Sequence, residues 1–410
     1  MNILFLTLAY HPQSLAEVTR ASRDGLQNQI NNYQWAFMEG LRSSMGNTGV
    51  LSVCNALPVG IFPLRYRKAF LPSRRFEAHF QELGCINLPW VKQRARQKKA
   101  LRAIKAWAAA NPNNRSILLY SLYLPYMRAI ADAKKCFPDL KATVIVTDLP
   151  NEMGIASGRK GFLKAAEYAM GREKIELCTA FDGFVLLTRH MAEVLPIEGK
   201  GQCVMEGLIL PQPGEATPAD AVEDEPKATP VVLYSGTLNR ELGIGELLKA
   251  FALMPEYTLW LCGRGDMEKE VESACKAHNN IRYFGFVSHG KALRLQNQAD
   301  ALINPRSSAG LFTRYSFPSK TLEYMRSGKP VLCYQLEGIP ADYDPFLTYI
   351  QPDEGIAAAV RSVLTLSEQD RQKIGEAAKN YVLAEKNAST QCQKLFQFLQ
   401  ALQEPGKKNK

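Results

Sequence analysis

No part of this 410-residue chain comes near 18 uninterrupted apolar residues, so no membrane-spanning helix is expected. The opening "MNILFLTLAY" lacks a basic flank and a small-residue cleavage site, and it reads as a first β-strand, not a secretion signal. Nine cysteines are scattered from Cys54 to Cys392 with no CxxC and no metal-like pairing to histidine. Such a dispersed, odd set suits a reducing compartment, so a cytoplasmic location is expected, with each cysteine a small buried hydrophobe. A Walker GxxxxGK[ST] loop is missing, as is a complete GxGxxG with its downstream acidic residue, which disfavours a P-loop enzyme or a dinucleotide oxidoreductase. No short internal repeat is present. None of the five histidines stands out as a base; His11 and His190 are the only two near expected loops, and both stay unassigned.

What the chain does have is an uneven charge. Residues 1–210 carry 27 Lys/Arg against 16 Asp/Glu, whereas residues 211–410 carry 23 against 24, so the net +10 lies wholly in the first half. It concentrates in "RYRKAFLPSRR" (65–75) and "KQRARQKKALRAIK" (92–105). Basic segments of this kind suit an anionic membrane surface or phosphorylated lipid, and a peripheral position on the inner membrane face is one expectation. The plainer reading is a solvated helix face. Nucleic acid is not expected, because no binding motif or regular aromatic interleaving accompanies the charge.

Between the halves, "PQPGEATPADAVEDEPKATP" (211–230) holds five prolines and five acidic residues with few large apolar side chains, which is linker composition. On both sides of it, short apolar runs alternate with helical patterns. The first side has "NILFLTLAY", "TGVLSVCNAL", "SILLYSLY", "ATVIVTDLP" and "DGFVLLT"; the second has "PVVLYSG", "YTLWLCGRGD", "IRYFGFV", "ALINP" and "PVLCYQ", with helices over 267–277 and 289–299. This alternation predicts two parallel sheets with crossover helices. The expected domains are a basic lobe over 1–210, the linker, and a second lobe over 231–385. A helix in 386–410 is expected to return to the first lobe ahead of a basic tail. In doubly wound sheets, ligands bind beyond the C-terminal strand ends.

One segment of the second lobe concentrates chemistry: "RYSFPSKTLEYMRSGKPV" (314–331). It predicts a helix that starts near Ser316–Pro318, because Ser caps and Pro is tolerated in the first turn, and that stops at Gly328-Lys-Pro. Leu322 and Met325 share an apolar face, and Lys320 and Glu323 point away from it. A cation beside a helix N-terminus, with a carboxylate one turn in, can hold a phosphate and a ribose diol. The plainer reading is an ordinary solvated ion pair. Upstream, "YSGTLNRELGIGELL" sets Gly236, Gly243 and Gly245 between a strand and a helix, a loop that lets backbone N–H groups approach an anion. Arg240 in it is either a phosphate contact or an exposed loop cation.

The order of these segments resembles the retaining glycosyltransferases of family 4. "YSGTLNRELGIGELLKAF", "LWLCGRGD", "IRYFGFV", "ADALINP" and "FPSKTLEYMRSGKPVL" match that family's motifs in sequence over residues 230–340. The resemblance implies an α/β GT-B fold, two Rossmann-like doubly wound lobes facing across a cleft. It implies a nucleoside-diphosphate sugar donor, UDP-sugar above all, and a glycan, lipid-linked or other hydroxyl acceptor in surface polysaccharide or glycoconjugate synthesis. Glu323 matches the family's ribose-binding glutamate. The sugar-contacting glutamate of the E-x7-E block is replaced by Tyr315, so sugar recognition must differ. Lys320, flanked by Ser319 and Thr321, matches the lysine near the diphosphate in one branch.

The family's usual phosphate-binding Arg/Lys pair is replaced by Thr237 and Leu242, which leaves Arg240 and Lys320 as substitutes. Gly236 and Gly263 line the donor loops, and Phe286 and Val287 occupy the segment that meets the base, usually through its backbone. Asp148 falls where many members place a histidine near the anomeric carbon; otherwise it caps the turn before Pro150. "GLQNQINNYQ" occupies the place of a glycine-rich loop facing the diphosphate, with Gln27 and Asn28 as weak candidates. Without a DxD motif no obligatory metal is expected. The competing expectations are a non-catalytic donor-binding scaffold subunit and a nucleotide-sugar epimerase of similar fold.

Overall fold

The computed structural model describes residues 1–150, 162–209, 224–307 and 313–404. Most of the expected linker, 211–223, and the end of the basic tail lie outside the described residues. The chain divides into two compact units, Met1–Leu210 with Ala388–Lys410, and Pro211–Asn387.

In the first unit the strands are β1 (Asn2–Thr7), β2 (Val50–Asn55), β3 (Phe70–Leu71), β4 (Arg74–Glu77), β5 (Phe80–Glu82), β6 (Cys85–Ile86), β7 (Arg115–Tyr120), β8 (Lys141–Val146), β9 (Gly183–Leu186) and β10 (Gly201–Val204). The main sheet has the order β10-β9-β8-β7-β1-β2-β5-β4, parallel except for the β4–β5 edge. β3 and β6 form a separate antiparallel pair. The long helices are α1 (Pro12–Ala21), α2 (Asn28–Met45), α3 (Val91–Ala110), α4 (Leu124–Cys136) and α5 (Phe162–Leu177). Central strands such as β7 are buried along their whole length, as expected when crossover helices cover both faces of a sheet.

The second unit has β11 (Val231–Ser235), α6 (Ile244–Ala252), β12 (Thr258–Cys262), α7 (Glu268–Ala277), β13 (Ile281–Tyr283), α8 (His289–Gln298), β14 (Ala301–Asn304), α9 (Ser319–Arg326), β15 (Val331–Cys333), β16 (Thr348–Tyr349), α10 (Gly355–Leu364) and α11 (Glu368–Glu385). Its wholly parallel sheet runs β13-β12-β11-β14-β15-β16. Counted along the chain that is 3-2-1-4-5-6, the order of a dinucleotide-type doubly wound sheet. The order reverses between β11 and β14, and the first unit reverses in the same way between β1 and β7.

After α11 the chain returns to the first unit as α12 (Ala388–Ala401), which packs on α2. Cys392, Leu395 and Leu399 enter the core that holds Phe37 and Leu41. The close approach needs Gly40: a Cβ there would lie 2.6 Å from the Cys392 sulfur and 2.8 Å from the Ala388 carbonyl oxygen.

The basic run 92–105 is not a uniformly solvated face. Lys92, Arg96, Ala100, Ile104 and Ala108 recur every fourth residue and form the buried side of α3. Lys92 donates to the Val59 carbonyl, and Arg96 to the Leu57 carbonyl and to the Tyr123 hydroxyl. Two cations therefore leave any membrane-facing set, because the helix period turns them inward.

Burial pushes the Lys92 ammonium down to about 7, so near neutrality the folded chain releases a proton that the unfolded chain keeps. That contribution to stability is present above the unfolded pKa and is lost as pH falls through 7. The Tm difference between wild type and Lys92→Met is therefore expected to move in favour of wild type from pH 7 to pH 9, read by thermal unfolding. A difference independent of pH would contradict it.

Candidate functional site

The point where the strand order reverses, between β11 and β14, is built from short backbone contacts between loops. Gly263, at φ +142°, sits where a Cβ would be 1.7 Å from the Gly236 carbonyl oxygen. Gly243, at φ +80°, would place its Cβ 2.0 Å from the Pro305 carbonyl oxygen. The loops after β11, β12 and β14 thus lie against one another at the strand ends. The Gly236 N–H already bonds the Cys262 carbonyl at 2.9 Å, and the Leu238 N–H bonds the Arg264 carbonyl at 2.8 Å. These glycines pack loops; two of the loop's N–H groups are not available to an anion.

α9 is set against this point by one side chain. The Tyr324 hydroxyl accepts from the Ser235 N–H at 2.8 Å and donates to the Ser235 carbonyl at 3.0 Å, all of it buried. Leu322 and Met325 are buried as the apolar face requires. The helix begins at Ser319 with Pro318 at the N-cap, within the expected start, but no side chain caps it. The Ser316 hydroxyl receives a 2.6 Å hydrogen bond from Arg306 instead. Gly328 takes a left-handed φ of +75° just past the helix end.

On the other face, Lys320 Nζ lies 3.1 and 3.3 Å from the two Glu323 oxygens. Both side chains are partly buried, Lys320 34% and Glu323 25% exposed. Glu323 also accepts a 2.8 Å hydrogen bond from Gln296 Nε2 on α8. Gln296 is almost fully buried, and its Oε1 has no hydrogen-bond partner. A Cβ added at Gly236 would meet Lys320 Cε at 3.7 Å, so the lysine stem runs beside the β11 loop. Arg306, two residues beyond β14, is a half-buried guanidinium that desolvation pushes down to about 10, still protonated at neutral pH.

The other expected residues divide. Thr237 and Ser319 are exposed at the strand-end loop and the first turn of α9. Phe286 is exposed beyond β13, with the Arg264 guanidinium 4.8 Å from its ring centroid, and Val287 follows it half-buried. Thr321 is fully buried, 3.5 Å from Asn304 Nδ2. Tyr315 is nearly buried ahead of α9. Arg240 is drawn to α7, where Glu270 pairs with it at 3.0 Å, and no described contact joins it to Lys320. Sequence reasoning missed Gln296, Arg264, Arg306 and the Tyr324 clasp. Arg264 and Arg306 shared one signal, a cation two residues after a strand.

Asp148 lies in the first unit, exposed beyond β8, 3.2 Å from the Thr147 hydroxyl. Its charge raises the pKa of the buried Tyr120 phenol, secondary to desolvation. Gln27 and Asn28 are exposed at the start of α2. The amides one turn on are the ones in use: Asn31 Oδ1 accepts from the Tyr10 N–H, and Gln34 bonds both the N–H and the carbonyl of Leu8. They pin the loop after β1. His11 is a core residue stacked on Phe76 at 3.9 Å; burial lowers its pKa, partly opposed by Glu77. His190 pairs with Glu193 at 2.9 Å.

Residues 217–381 match the family described as glycosyl transferases group 1, which covers less than half of the chain. No curated protein matches significantly. Among solved structures, a sucrose-phosphate synthase from Thermosynechococcus elongatus superposes with a TM-score of 0.61 at 14% identity, covering 98% of this chain and 99% of the other. An α,α-trehalose 6-phosphate synthase from Burkholderia multivorans gives 0.62 at 11%, over 98% and 96%. An E. coli trehalose-6-phosphate protein bound with UDP-2-fluoro glucose gives 0.59 at 11%, over 98% and 99%. At such identities the likeness establishes the fold: two Rossmann-like α/β lobes of the GT-B type.

Replacing Tyr324 with Phe strands the buried N–H and carbonyl of Ser235. The expected loss is about 1–3 kcal/mol, measured by denaturant unfolding. A loss below roughly 0.5 kcal/mol would show that the clasp is not holding α9.

Proposed function

We propose that this protein is a retaining glycosyltransferase of the family 4 type, moving a sugar from a nucleoside diphosphate, UDP by preference, to a hydroxyl of a glycan or lipid-linked acceptor. The observation that carries the reading is the Lys320–Glu323–Gln296 cluster beside the point where the strand order reverses. It lies inside the segment that matches glycosyl transferases group 1. The solved neighbour holding UDP-2-fluoro glucose supports uridine as the base.

Lys320 neutralises Glu323. An arriving diphosphate draws the ammonium onto its oxygens and frees the carboxylate to accept from the ribose hydroxyls. Gln296 keeps one carboxylate oxygen in place throughout, and its buried Oε1 is an acceptor whose cost a ligand donor would relieve. Phe286, exposed under Arg264, offers a ring for the base. As the sugar–phosphate bond breaks, negative charge grows on the leaving diphosphate. Lys320, Arg306 and the uncapped N–H groups of α9 are preorganised to stabilise it. The acceptor oxygen bonds the anomeric carbon on the face the diphosphate leaves, and the acceptor proton passes to the departing phosphate oxygen.

Tyr315 stands where the resemblance places a sugar-contacting carboxylate. That favours, as a second reading, a donor-binding subunit without turnover.

Thermal unfolding with saturating UDP, GDP, ADP and NAD tests the site. Ligand at 100 times Kd adds about 2.7 kcal/mol, a shift of a few degrees or less in a chain this long. A UDP-specific shift is expected, with Glu323→Ala weakening binding roughly ten- to hundredfold through its lost charged hydrogen bonds. No shift with any nucleotide would reject the donor site; a shift with no turnover on any acceptor would favour the second reading.

Gln296→Leu is expected to raise donor KM roughly five- to tenfold, as one hydrogen bond to a charged group is lost, with kcat nearly unchanged. A fall in kcat at constant KM would remove Gln296 from donor binding.

A further inference from the structure

The first unit carries an exposed apolar patch with unpaired cations beside it. Of the large hydrophobics exposed among the described residues, six fall in one short stretch: Leu64, Phe70, Ile86, Leu88, Trp90 and Val91. Trp90 is 84% exposed, Leu64 77% and Phe70 63%. They belong to one place in the fold. Phe70 and Ile86 are directly opposed across the β3–β6 pair, so their side chains share a face. Asn87 laces the surrounding loops together. Its N–H bonds the Ala69 carbonyl at 2.7 Å, its carbonyl accepts from the Phe62 N–H at 3.1 Å, and its side-chain amide bonds the Gly60 and Lys68 carbonyls. Leu88 and Trp90 form the turn that enters α3, and Trp90 holds a left-handed φ of +63°. No packing within the unit accounts for an indole held outward in that conformation.

The charge around this patch is one-sided. Residues 64–105 contain twelve Lys/Arg, ten of them outside the buried pair Lys92 and Arg96, and only two carboxylates, Glu77 and Glu82. Arg65 and Lys68 are paired with Asp24 and Glu17. Arg67 and Arg94 are exposed with no ion-pair partner among the described residues. The loops that carry the patch follow the C-terminal ends of β2 and β5, where the Leu83 N–H bonds the Asn55 carbonyl at 2.7 Å. This is the edge of a doubly wound sheet at which ligands bind.

We infer that this patch docks the protein onto an anionic lipid surface. The indole and the apolar side chains enter the interface, and Arg67 and Arg94 meet the headgroups. No described helix is long and apolar enough to cross a membrane, so the contact is interfacial. The consequence for the acceptor rests on the transferase reading: a surface held beside the first unit's ligand edge presents a lipid-borne hydroxyl, not a free sugar.

Sedimentation of the full chain with vesicles tests the docking, without nucleotide. Vesicles of phosphatidylcholine alone are compared with vesicles that also contain phosphatidylglycerol, at low and high salt. Binding to the anionic vesicles that weakens with salt is expected. Arg67→Glu with Arg94→Glu should cut it roughly tenfold or more. Trp90→Ala with Phe70→Ala should cut it as strongly at either salt, whereas Leu253→Ala, equally exposed in the second unit, should not. A blue shift of tryptophan emission on vesicles that Trp90→Phe lacks would place the indole in the lipid. Failure to bind anionic vesicles would overturn the inference, as would a dimer in sedimentation velocity that Trp90→Ala dissociates. The UDP shift is measured without lipid, so loss of docking with a retained shift sinks the docking alone.

Discussion

Parallel strands cannot be joined by tight turns, and that constraint shapes both units of this chain. Each strand returns to the same end of the sheet through a crossover. Where successive crossovers leave in opposite directions, the loops part and a crevice opens. In the second unit that point lies between β11 and β14, and everything placed there depends on α9 standing at the right height. The Tyr324 hydroxyl sets that height by taking both backbone groups of Ser235. A hydrophobic contact would tolerate sliding; two hydrogen bonds to one residue do not. Lys320 and Glu323 inherit their positions from that clasp, the first one turn before Tyr324 and the second next to it.

The two units share a strand order but differ in how they finish its C-terminal edge. The second unit puts charge there: Lys320, Glu323 and Arg306. Around its own reversal point the first unit uses neutral amides. Asn31, Gln34 and Asn55 hold the loop after β1 by its backbone groups. Amides fix a chain in space without creating a field, whereas cations and carboxylates create one that a charged ligand can exchange with. The same strand order therefore carries neutral amides at the loop after β1 and an ion pair at the start of α9.

How much of this the sequence carried follows from what periodicity can report. A helix pattern describes its own faces. It separated Leu322 and Met325 from Lys320 and Glu323, and alternation along the chain was enough for the fold class. It says nothing about which distant element meets a given face. Gln296 lies 27 residues from Glu323 and has no local signature, so its bond to the carboxylate was not legible. Nor was the Ser316 hydroxyl's engagement with Arg306. In α3 the failure was of a different kind. Counting cations along 92–105 measured charge but not direction, and the four-residue spacing of Lys92 and Arg96 turned both inward.

The return of α12 to the first unit has a consequence for biosynthesis. A ribosome delivers this chain from its N-terminus, and domains generally fold as they emerge. The second unit, a continuous segment, can close as soon as it clears the exit tunnel. The first is made earlier but finished later, because Leu395 and Leu399 complete a core whose other members, Phe37 and Leu41, were synthesised some 350 residues before. For most of translation its apolar face over α2 stays uncovered. The protein's older half waits on its youngest helix, and a stalled or truncated message leaves a folded second unit attached to an exposed, aggregation-prone partner.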